Sequence, residues 1–297
     1  MHIIKFLLRL LKFIADVLRP KPYILSVIKF IKSVCRNRNL LIEMSKRDIR
    51  DRYAGQTLGV VWAVIQPIFL MAVYLFIFTA VFKIRLENVA TGDGRAILLN
   101  DFAIYLLSGL IPWMTCQEIM TRSVQIILGE VNLVKQVVFP VEILPLKIIW
   151  PAAFTQIIAT VLFLAYILVR YHTLPDTIIL LPVLFGVQII WMAGLSLLLS
   201  PISPFFRDLR ELVSMICTVL MYATPIFYTI DMLPKSMRSI ILCNPFAHLA
   251  LCFQDIFYYG AIVNPWSWFL VILISIVSFG FGVRVFVTIK PILGNVL

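Results

Sequence analysis

The chain has 297 residues, of which 61% are hydrophobic and only 14% are charged. Soluble domains carry roughly 45–50% apolar and about 25% charged residues, so this composition excludes an ordinary soluble protein and indicates an integral membrane protein. The net charge of +11 would suit a nucleic-acid partner, but 13 of the 26 Lys and Arg residues precede residue 56. The anionic inner face of a membrane explains that distribution better, and we expect no nucleic-acid binding.

The first helix that the pattern predicts covers residues 3–19. Its charges recur every three or four residues and therefore fall on one stripe of a helix that is otherwise apolar: Lys5, Arg9, Lys12, Asp16 and Arg19. This pattern predicts a helix that lies on the membrane. A signal peptide would need an uninterrupted apolar core and a small-residue cleavage site, which are missing.

Pro20 and Pro22 end this helix, and a second basic and apolar segment runs from Tyr23 to Arg38. A further helix, with Asn39 as its predicted N-cap, leads into a cluster of six charges that ends at Arg52. We therefore divide the chain into residues 1–55, a cytoplasmic amphipathic interface region, and residues 56–290, a membrane domain.

Thr57 to Phe82 follows the charge cluster directly and contains 26 residues without a charge. At about 1.5 Å per residue this run is long enough to cross a hydrocarbon core of about 30 Å. Lys and Arg beside a span stay in the cytoplasm, so the amino-terminal side is inside. Gln66-Pro67 lies midway, and such a pair in a span is expected to face protein or a path rather than lipid.

Five more apolar runs predict further spans, namely Phe102–Met120, Ile148–Val169, Thr177–Ser200, Leu212–Ile230 and Pro265–Val287. With both termini in the cytoplasm, this topology places 20 Lys and Arg residues inside and 6 outside. The opposite orientation would reverse the ratio, which contradicts the positive-inside rule.

Two segments between these spans predict short helices. Asn132 can cap a helix of about two turns that Pro140 limits, with Leu133, Val137 and Val138 on one side. A groove on a partner protein is the natural place for that apolar side, and the alternative is an ordinary interfacial loop helix. Leu233 to Gly260 is too long and too apolar for a free loop and too short in each half to span, so it predicts an external re-entrant helical hairpin.

The chemistry that the sequence lacks is also informative. No Gly-x4-Gly-Lys-Ser/Thr phosphate loop, close Cys/His metal motif or paired intramembrane carboxylate occurs. The apolar runs have no charge away from their ends, which disfavours ion-coupled transport. We therefore expect no enzyme and no cofactor bound by this chain, with energy supplied by a partner. Cys243 and Cys252 could pair in an oxidising compartment or serve as apolar filler.

Several motifs resemble the membrane subunit of ABC-type polysaccharide exporters. The region of the first span does so through its ordered pairs and single residues: Arg47-Asp48, Arg52-Tyr53, Leu58-Gly59, Trp62 and Gln66-Pro67. The loop helix resembles the coupling helix of that family through Asn132, Leu133, Lys135, Phe139-Pro140 and Leu144-Pro145. Further similar motifs are Arg207-Asp208-Leu209, Thr224 to Tyr228, Leu233-Pro234 and Asn244-Pro245-Phe246. The resemblance covers residues 40–287 and departs at Gln254, where the family often has Arg.

The resemblance implies an all-α integral membrane protein with six transmembrane helices, amphipathic N-terminal interface helices, a cytoplasmic coupling helix and the external hairpin. It implies a homodimer with two ATPase subunits, which bind the ATP and Mg²⁺. Its cargo would be a lipid-linked polysaccharide such as O-antigen, exported across the bacterial inner membrane among membrane lipids. The alternatives are a drug or small-lipid exporter of the same fold and a non-transporting membrane scaffold.

The resemblance and the residue types together indicate the site residues. Those expected to couple to the ATPase are Asn132, Leu133, Lys135, Val137, Phe139, Pro140, Arg47, Asp48 and Arg52. Those expected to line the substrate channel are Gln66, Phe69, Tyr222 and Trp62, because aromatic faces stack on sugar rings; the alternative for such aromatics is an interfacial belt or lipid-facing filler. Those expected at the external gate are Pro234, Asn244, Pro245 and Phe246.

Overall fold

A computed structural model describes residues 23–81, 101–136, 139–206 and 208–296. All regular structure in these ranges is helical, which confirms the predicted all-α class. The predicted helix at residues 3–19 and the predicted contact residues Val137 and Val138 lie outside the described residues.

The helices alternate between long apolar rods and short connecting pieces. The first six are α1 (Tyr23–Arg36), α2 (Arg38–Tyr53), α3 (Trp62–Leu75), α4 (Phe102–Gly129), α5 (Val131–Gln136) and α6 (Ile143–Lys147). The next six are α7 (Ile149–Tyr171), α8 (Leu181–Ile202), α9 (Leu209–Ala223), α10 (Lys235–Leu242), α11 (Pro245–Gln254) and α12 (Pro265–Val296). Helices α3 and α11 each continue as a π-helical turn, Phe76–Val81 and Asp255–Tyr259.

The structure separates the charge cluster from the first apolar helix. Helix α2 ends at Tyr53 and α3 begins only at Trp62, five residues after the start of the charge-free run. Gly55 and Gly59 have φ angles of 76° and 51°, in the left-handed region that glycine adopts without a steric cost. The chain therefore turns between the two helices, and α2 is an element of its own. Its N-cap residue is Asn37, so the prediction of Asn39 is wrong by two residues.

The fifth predicted span is also shorter than the sequence suggests. Helix α9 ends at Ala223, and Thr224 is extended with ψ of 138°. Pro225 causes this, because proline disfavours helical geometry in the residue before it. The prediction of a helix to Ile230 is wrong, and the 15 residues of α9 reach only about 22 Å.

Among the described residues, three helical stretches have the length and composition to cross a membrane: Ile143–Tyr171, Asp176–Phe205 and Pro265–Gly294. Trp62–Phe78 is a shorter apolar helix, and α10 with the stretch Pro245–Tyr259 forms a pair bent by 98°. These features show a multi-pass membrane protein, while the count of six spans stays a prediction.

Helix α4 lies at the centre of the bundle. Its first half, Phe102 to Trp113, is buried on every side, as expected of a helix that is apolar all round. Two buried glutamines tie it to its neighbours: Gln188 on α8 donates to the Pro112 carbonyl at 3.1 Å, and Gln156 on α7 donates to the Gln188 side chain at 2.8 Å. Polar groups in a membrane need such internal partners.

Helices α8 and α12 pack backbone to backbone. A Cβ atom on Gly282 would overlap the Gly194 carbonyl oxygen, and one on Gly194 would lie 2.5 Å from the Phe279 nitrogen. By contrast, a Cβ atom on Gly280 or Gly186, on the same two helices, would have no neighbour within 4 Å. Small residues at one crossing point allow the close approach, which is the usual way for membrane helices to associate.

We predict that Gly282→Ala destabilises the protein by about 1–3 kcal/mol, because the added methyl group has no space. Gly280→Ala is the matched control on the same helix, and it should leave stability unchanged or raise it by up to about 1 kcal/mol through helix propensity. Thermal unfolding of the purified protein in detergent measures both variants. An equal loss from the two substitutions would contradict the close packing.

Candidate functional site

Six charged side chains form a continuous cluster where α2 meets α4 and α6, and we call it the charge network: Asp48, Arg52, Glu118, Arg122, Glu130 and Lys147. Asp48 on α2 lies 3.2 Å from Arg122 on α4 and 3.2 Å from Lys147 on α6. Lys147 also lies 2.8 Å from Glu130, which follows α4. Its side chain is only 3% exposed, so both carboxylates are needed to compensate a buried positive charge.

The remaining contacts of the charge network fix the position of the carboxyl-terminal end of α2. Glu118 lies 2.9 Å from Arg52 and 3.4 Å from Arg122, so one carboxylate joins two cations on two helices. Arg52 also donates to the Thr155 hydroxyl on α7 at 3.3 Å. With three cations and three anions, the network is neutral, and it joins α2, α4, α6 and α7 into one unit.

Two of the predicted coupling residues on α2 are part of the charge network, and the third is exposed to solvent. Asp48 and Arg52 belong to the charge network, whereas Arg47 pairs at 3.3 Å with Asp51 on the solvent side, where both are well exposed. Arg47 is therefore the one of the three that a partner protein could contact directly.

The predicted loop helix is present but begins earlier and is shorter in the described residues. Helix α5 starts at Val131, so Asn132 lies inside its first turn, and the prediction that Asn132 caps it is wrong. Asn132 and Lys135 are exposed, and Pro140 is half-buried. Leu133 and Phe139 pack against a core cluster of the same chain that includes Leu144 and Phe286, so part of the apolar side is already covered.

Hydrogen bonds of Glu142 connect the segment before α6 to α1 and α12. Its carboxylate accepts a hydrogen bond from Ser33 on α1 at 2.6 Å and one from Lys290 on α12 at 2.6 Å. Burial alone would raise the pKa of Glu142, but the hydrogen bonds from Lys290 and Ser33 outweigh it and hold the pKa below its ordinary value of 4.5. The carboxylate is therefore ionised at neutral pH and keeps both contacts.

The predicted channel residues all lie on the outside of the single chain. Trp62, Gln66 and Phe69 share one face of α3, and Phe69 is 69% exposed. Tyr222 lies on α9 and is 62% exposed. The carboxyl-terminal ends of α3 and α9 meet through Phe227, whose ring centroid lies 5.8 Å from that of Tyr222 and 6.2 Å from that of Tyr74. The two exposed faces therefore belong to neighbouring helices.

The predicted gate residues lie at the starts of two helices, of which α10 is not buried and α11 is packed in the core. Asn244 caps α11 by accepting from the Phe246 nitrogen at 3.0 Å, as the sequence predicts. Phe246 lies between Trp113 and Trp191, with ring centroids 5.2 and 4.8 Å away, and α11 is almost wholly buried. Helix α10, which begins after Pro234, has no buried residue, so it is the freer half of the pair.

Residue identities in these elements agree with a known family. A family profile for ABC-2 type transporters matches residues 39–258. The chain belongs to the ABC-2 type transporter family.

Relatives of this ABC-2 chain carry the names of export permeases. The O-antigen export system permease protein RfbA of Klebsiella pneumoniae is 28% identical over 226 residues, which cover 75% of this chain and 82% of the relative. RfbA of Myxococcus xanthus is 29% identical over 78% of this chain and 85% of the relative. The polysialic acid transport protein KpsM of Escherichia coli is 22% identical over 68% and 75%.

Sequence reasoning about this ABC-2 chain missed most of the charge network. Glu118 and Arg122 are four residues apart on α4, a spacing that places them on one face, but the sequence does not show what that face contacts. Lys147 and Glu130 are separated by α5 and α6, so only the fold brings them together. In the described residues, no three His, Cys, Asp or Glu side chains are placed to hold a metal ion.

We predict that Glu142→Gln loosens α1. Glutamine keeps an oxygen that can accept from Ser33 on α1 but lacks the charge that strengthens this bond and pairs with the 42% exposed Lys290. The loss should therefore be at most about 1 kcal/mol, or about fivefold faster hydrogen exchange of the α1 amides. In the unchanged protein the contact is complete above pH 4.5 and is lost only as the pH falls through the lowered pKa. Protection of α1 should thus not change between pH 6 and 8. Glu43→Gln, which removes the partner of the exposed Lys46, is the control, and equal loosening by it would contradict the prediction.

Proposed function

We propose that this chain is the membrane subunit of an ATP-driven exporter of lipid-linked polysaccharide, with O-antigen as its cargo, in the bacterial inner membrane. The observation that carries the proposal is membership of the ABC-2 type transporter family over residues 39–258, with relatives named as O-antigen export permeases over most of both chains. The six-span topology with both termini in the cytoplasm, from the distribution of Lys and Arg, belongs to this proposal.

The energy would come from two separate ATPase subunits, because the sequence has no phosphate loop to hold ATP and Mg²⁺. Helix α5 and the outer face of α2, including Arg47, would receive them. The charge network supports this role, since it ties α2 and the segments on both sides of α5 to α4 and α7. A displacement of the loop would therefore move the helices of the bundle together rather than bend one connection.

A second copy of the chain would complete the path. Helix α3 exposes Gln66 among apolar residues, and α9 exposes a second apolar stripe that contains Leu212, Met215, Val219 and Tyr222. An amide directed into hydrocarbon is costly, so Gln66 is expected to face protein or a polar path. A homodimer that brings α3 and α9 of both copies together would place Trp62, Gln66, Phe69 and Tyr222 along the polysaccharide.

Helices α10 and α11 would close the outer end of this path as a re-entrant pair. Their 98° bend and their lengths of 8 and 10 residues suit a hairpin that enters the membrane without crossing it. Phe246 would anchor the pair, because leaving the two tryptophans would expose three aromatic rings. Movement would be confined to α10 and to the turn at Cys243, which is exposed and unpaired.

We predict that the purified chain hydrolyses no ATP, and that deletion of its gene removes long polysaccharide from the cell surface while lipid-linked polymer accumulates inside. Surface polysaccharide is measured by gel electrophoresis and antibody labelling, and the lipid-linked pool by extraction. Restoration by the unchanged gene is the control. Unchanged surface polysaccharide together with increased drug retention would contradict the cargo and favour a drug exporter. Hydrolysis by the pure chain would contradict the need for an ATPase partner.

A further inference from the structure

Helix α1 has three stripes of different chemistry. Val27, Phe30 and Val34 pack against α12 and its neighbours, and Phe30 contacts the rings of Phe279 and Phe286 at centroid distances of 6.4 Å each. The second stripe is apolar but exposed, and consists of Ile28, Ile31 and Cys35. The third stripe is basic and exposed, and consists of Lys29, Lys32 and Arg36. Successive stripes are about 100° apart, so the basic stripe points away from the packed one.

If the hydrocarbon core begins near the start of α12, the contacts of Phe30 give the depth of α1 in the membrane. Helix α12 begins at Pro265, and at about 1.5 Å per residue Phe279 lies about 21 Å and Phe286 about 31 Å along it. A hydrocarbon core about 30 Å thick that starts near Pro265 therefore ends between or beside these two rings. Helix α1 thus lies at the level where acyl chains give way to lipid headgroups.

Two exposed cations of α2 have carboxylate partners, whereas Arg38 and Arg50 on the same helix form no ion pair within the described residues. On α2, Lys46 lies 2.9 Å from Glu43 and Arg47 lies 3.3 Å from Asp51. Within the part of the chain that the structure describes, no carboxylate forms an ion pair with Lys29, Lys32 or Arg36. The protein therefore presents three aligned and uncompensated positive charges at the headgroup level, next to an apolar stripe in which Ile28 and Ile31 are each 44% exposed.

We propose that α1 is a binding site for anionic phospholipids, with Lys29, Lys32 and Arg36 on the headgroup phosphates and Ile28 and Ile31 against the upper acyl chains. Charge complementarity favours a lipid over a protein partner, because a basic stripe beside an apolar one matches the order of charge and hydrocarbon across a leaflet. The proposal depends on the membrane placement of α12 but not on the identity of the cargo.

Bound lipid would also act on the coupling region. Ser33 lies next to the basic stripe, four residues after Lys29 and three before Arg36, and it donates to Glu142 just before α6, the helix that carries Lys147. Lipid that holds α1 against the leaflet would therefore also restrain Glu142. Glu142 lies in the loop between α4 and α6 that we expect to contact the ATPase. Anionic lipid is then a regulator of coupling as well as a ligand.

The test is native mass spectrometry of the purified full chain, delipidated and titrated with phosphatidylglycerol or phosphatidylcholine. The unchanged chain should retain phosphatidylglycerol preferentially, and the preference should fall about tenfold or more in the triple variant Lys29→Gln, Lys32→Gln, Arg36→Gln. It should also weaken with salt, as a headgroup contact does. Millimolar inorganic phosphate should not displace the lipid, which separates a lipid site from a simple phosphate site.

Two matched variants make the result specific. Lys29→Arg, Lys32→Arg, Arg36→Lys keeps the charges and should keep the preference. Arg38→Gln, Lys46→Gln, Arg50→Gln removes the same charge from exposed positions of α2 and should lose little. A chain without lipid preference, an equal loss from the α2 variant, or a triple α1 variant that keeps its lipid but no longer binds the ATPase would each overturn the proposal. Elution volume and thermal midpoint check that each variant is folded.

Discussion

The architecture of the region where α2, α4 and α6 meet depends on Lys147, whose ammonium group is almost completely removed from water between Asp48 and Glu130. An isolated charge at such a site would cost several kcal/mol, and only the two carboxylates and the surrounding cations make it tolerable. Because the two carboxylates come from α2 and from the end of α4, the position of α6 is fixed relative to both. A buried ionic cluster is weak evidence for stability but good evidence for a single relative arrangement of its helices, and we expect that arrangement to matter here.

Buried polar groups inside the bundle also need hydrogen-bond partners, although these groups are uncharged. Gln156 and Gln188 satisfy each other and the Pro112 carbonyl, so three helices are joined by amide hydrogen bonds where water is absent. Gly194 and Gly282 remove side chains at the crossing of α8 and α12. The helix crossings are therefore closely packed, whereas apolar and aromatic side chains are exposed on the outside of several helices, including α3, α7, α9 and α12. This division between a closely packed interior and exposed faces is what a subunit of a larger transporter needs.

The sequence predicted the helices well where composition alone determines them. The apolar runs became α3, α4, α7, α8 and α12, and Asn244-Pro245 began α11 as expected. The sequence-based predictions failed where backbone conformation or contacts between distant residues determine the structure. The left-handed glycines after Tyr53 and the proline after Thr224 shortened two predicted spans, and their effect is a local conformational choice that hydropathy does not register. Lys147 counted toward topology as one more cytoplasmic charge, since no local pattern shows that it is buried against residues 99 and 17 positions away.

In the exporter that we propose, the charge network must act as one unit for ATP hydrolysis to be coupled to transport. A double-mutant cycle with Asp48→Asn and Lys147→Met, measured as ATP hydrolysis by the complex with its ATPase, tests it most directly. We expect each single variant to lower the stimulated rate, and the double variant to be no worse than the more damaging single one, with an interaction energy of about 1–3 kcal/mol. The exposed pair Glu43 and Lys46, changed to glutamines together, should have no effect. Independent, additive losses, or rates unchanged by all three network variants, would contradict the account.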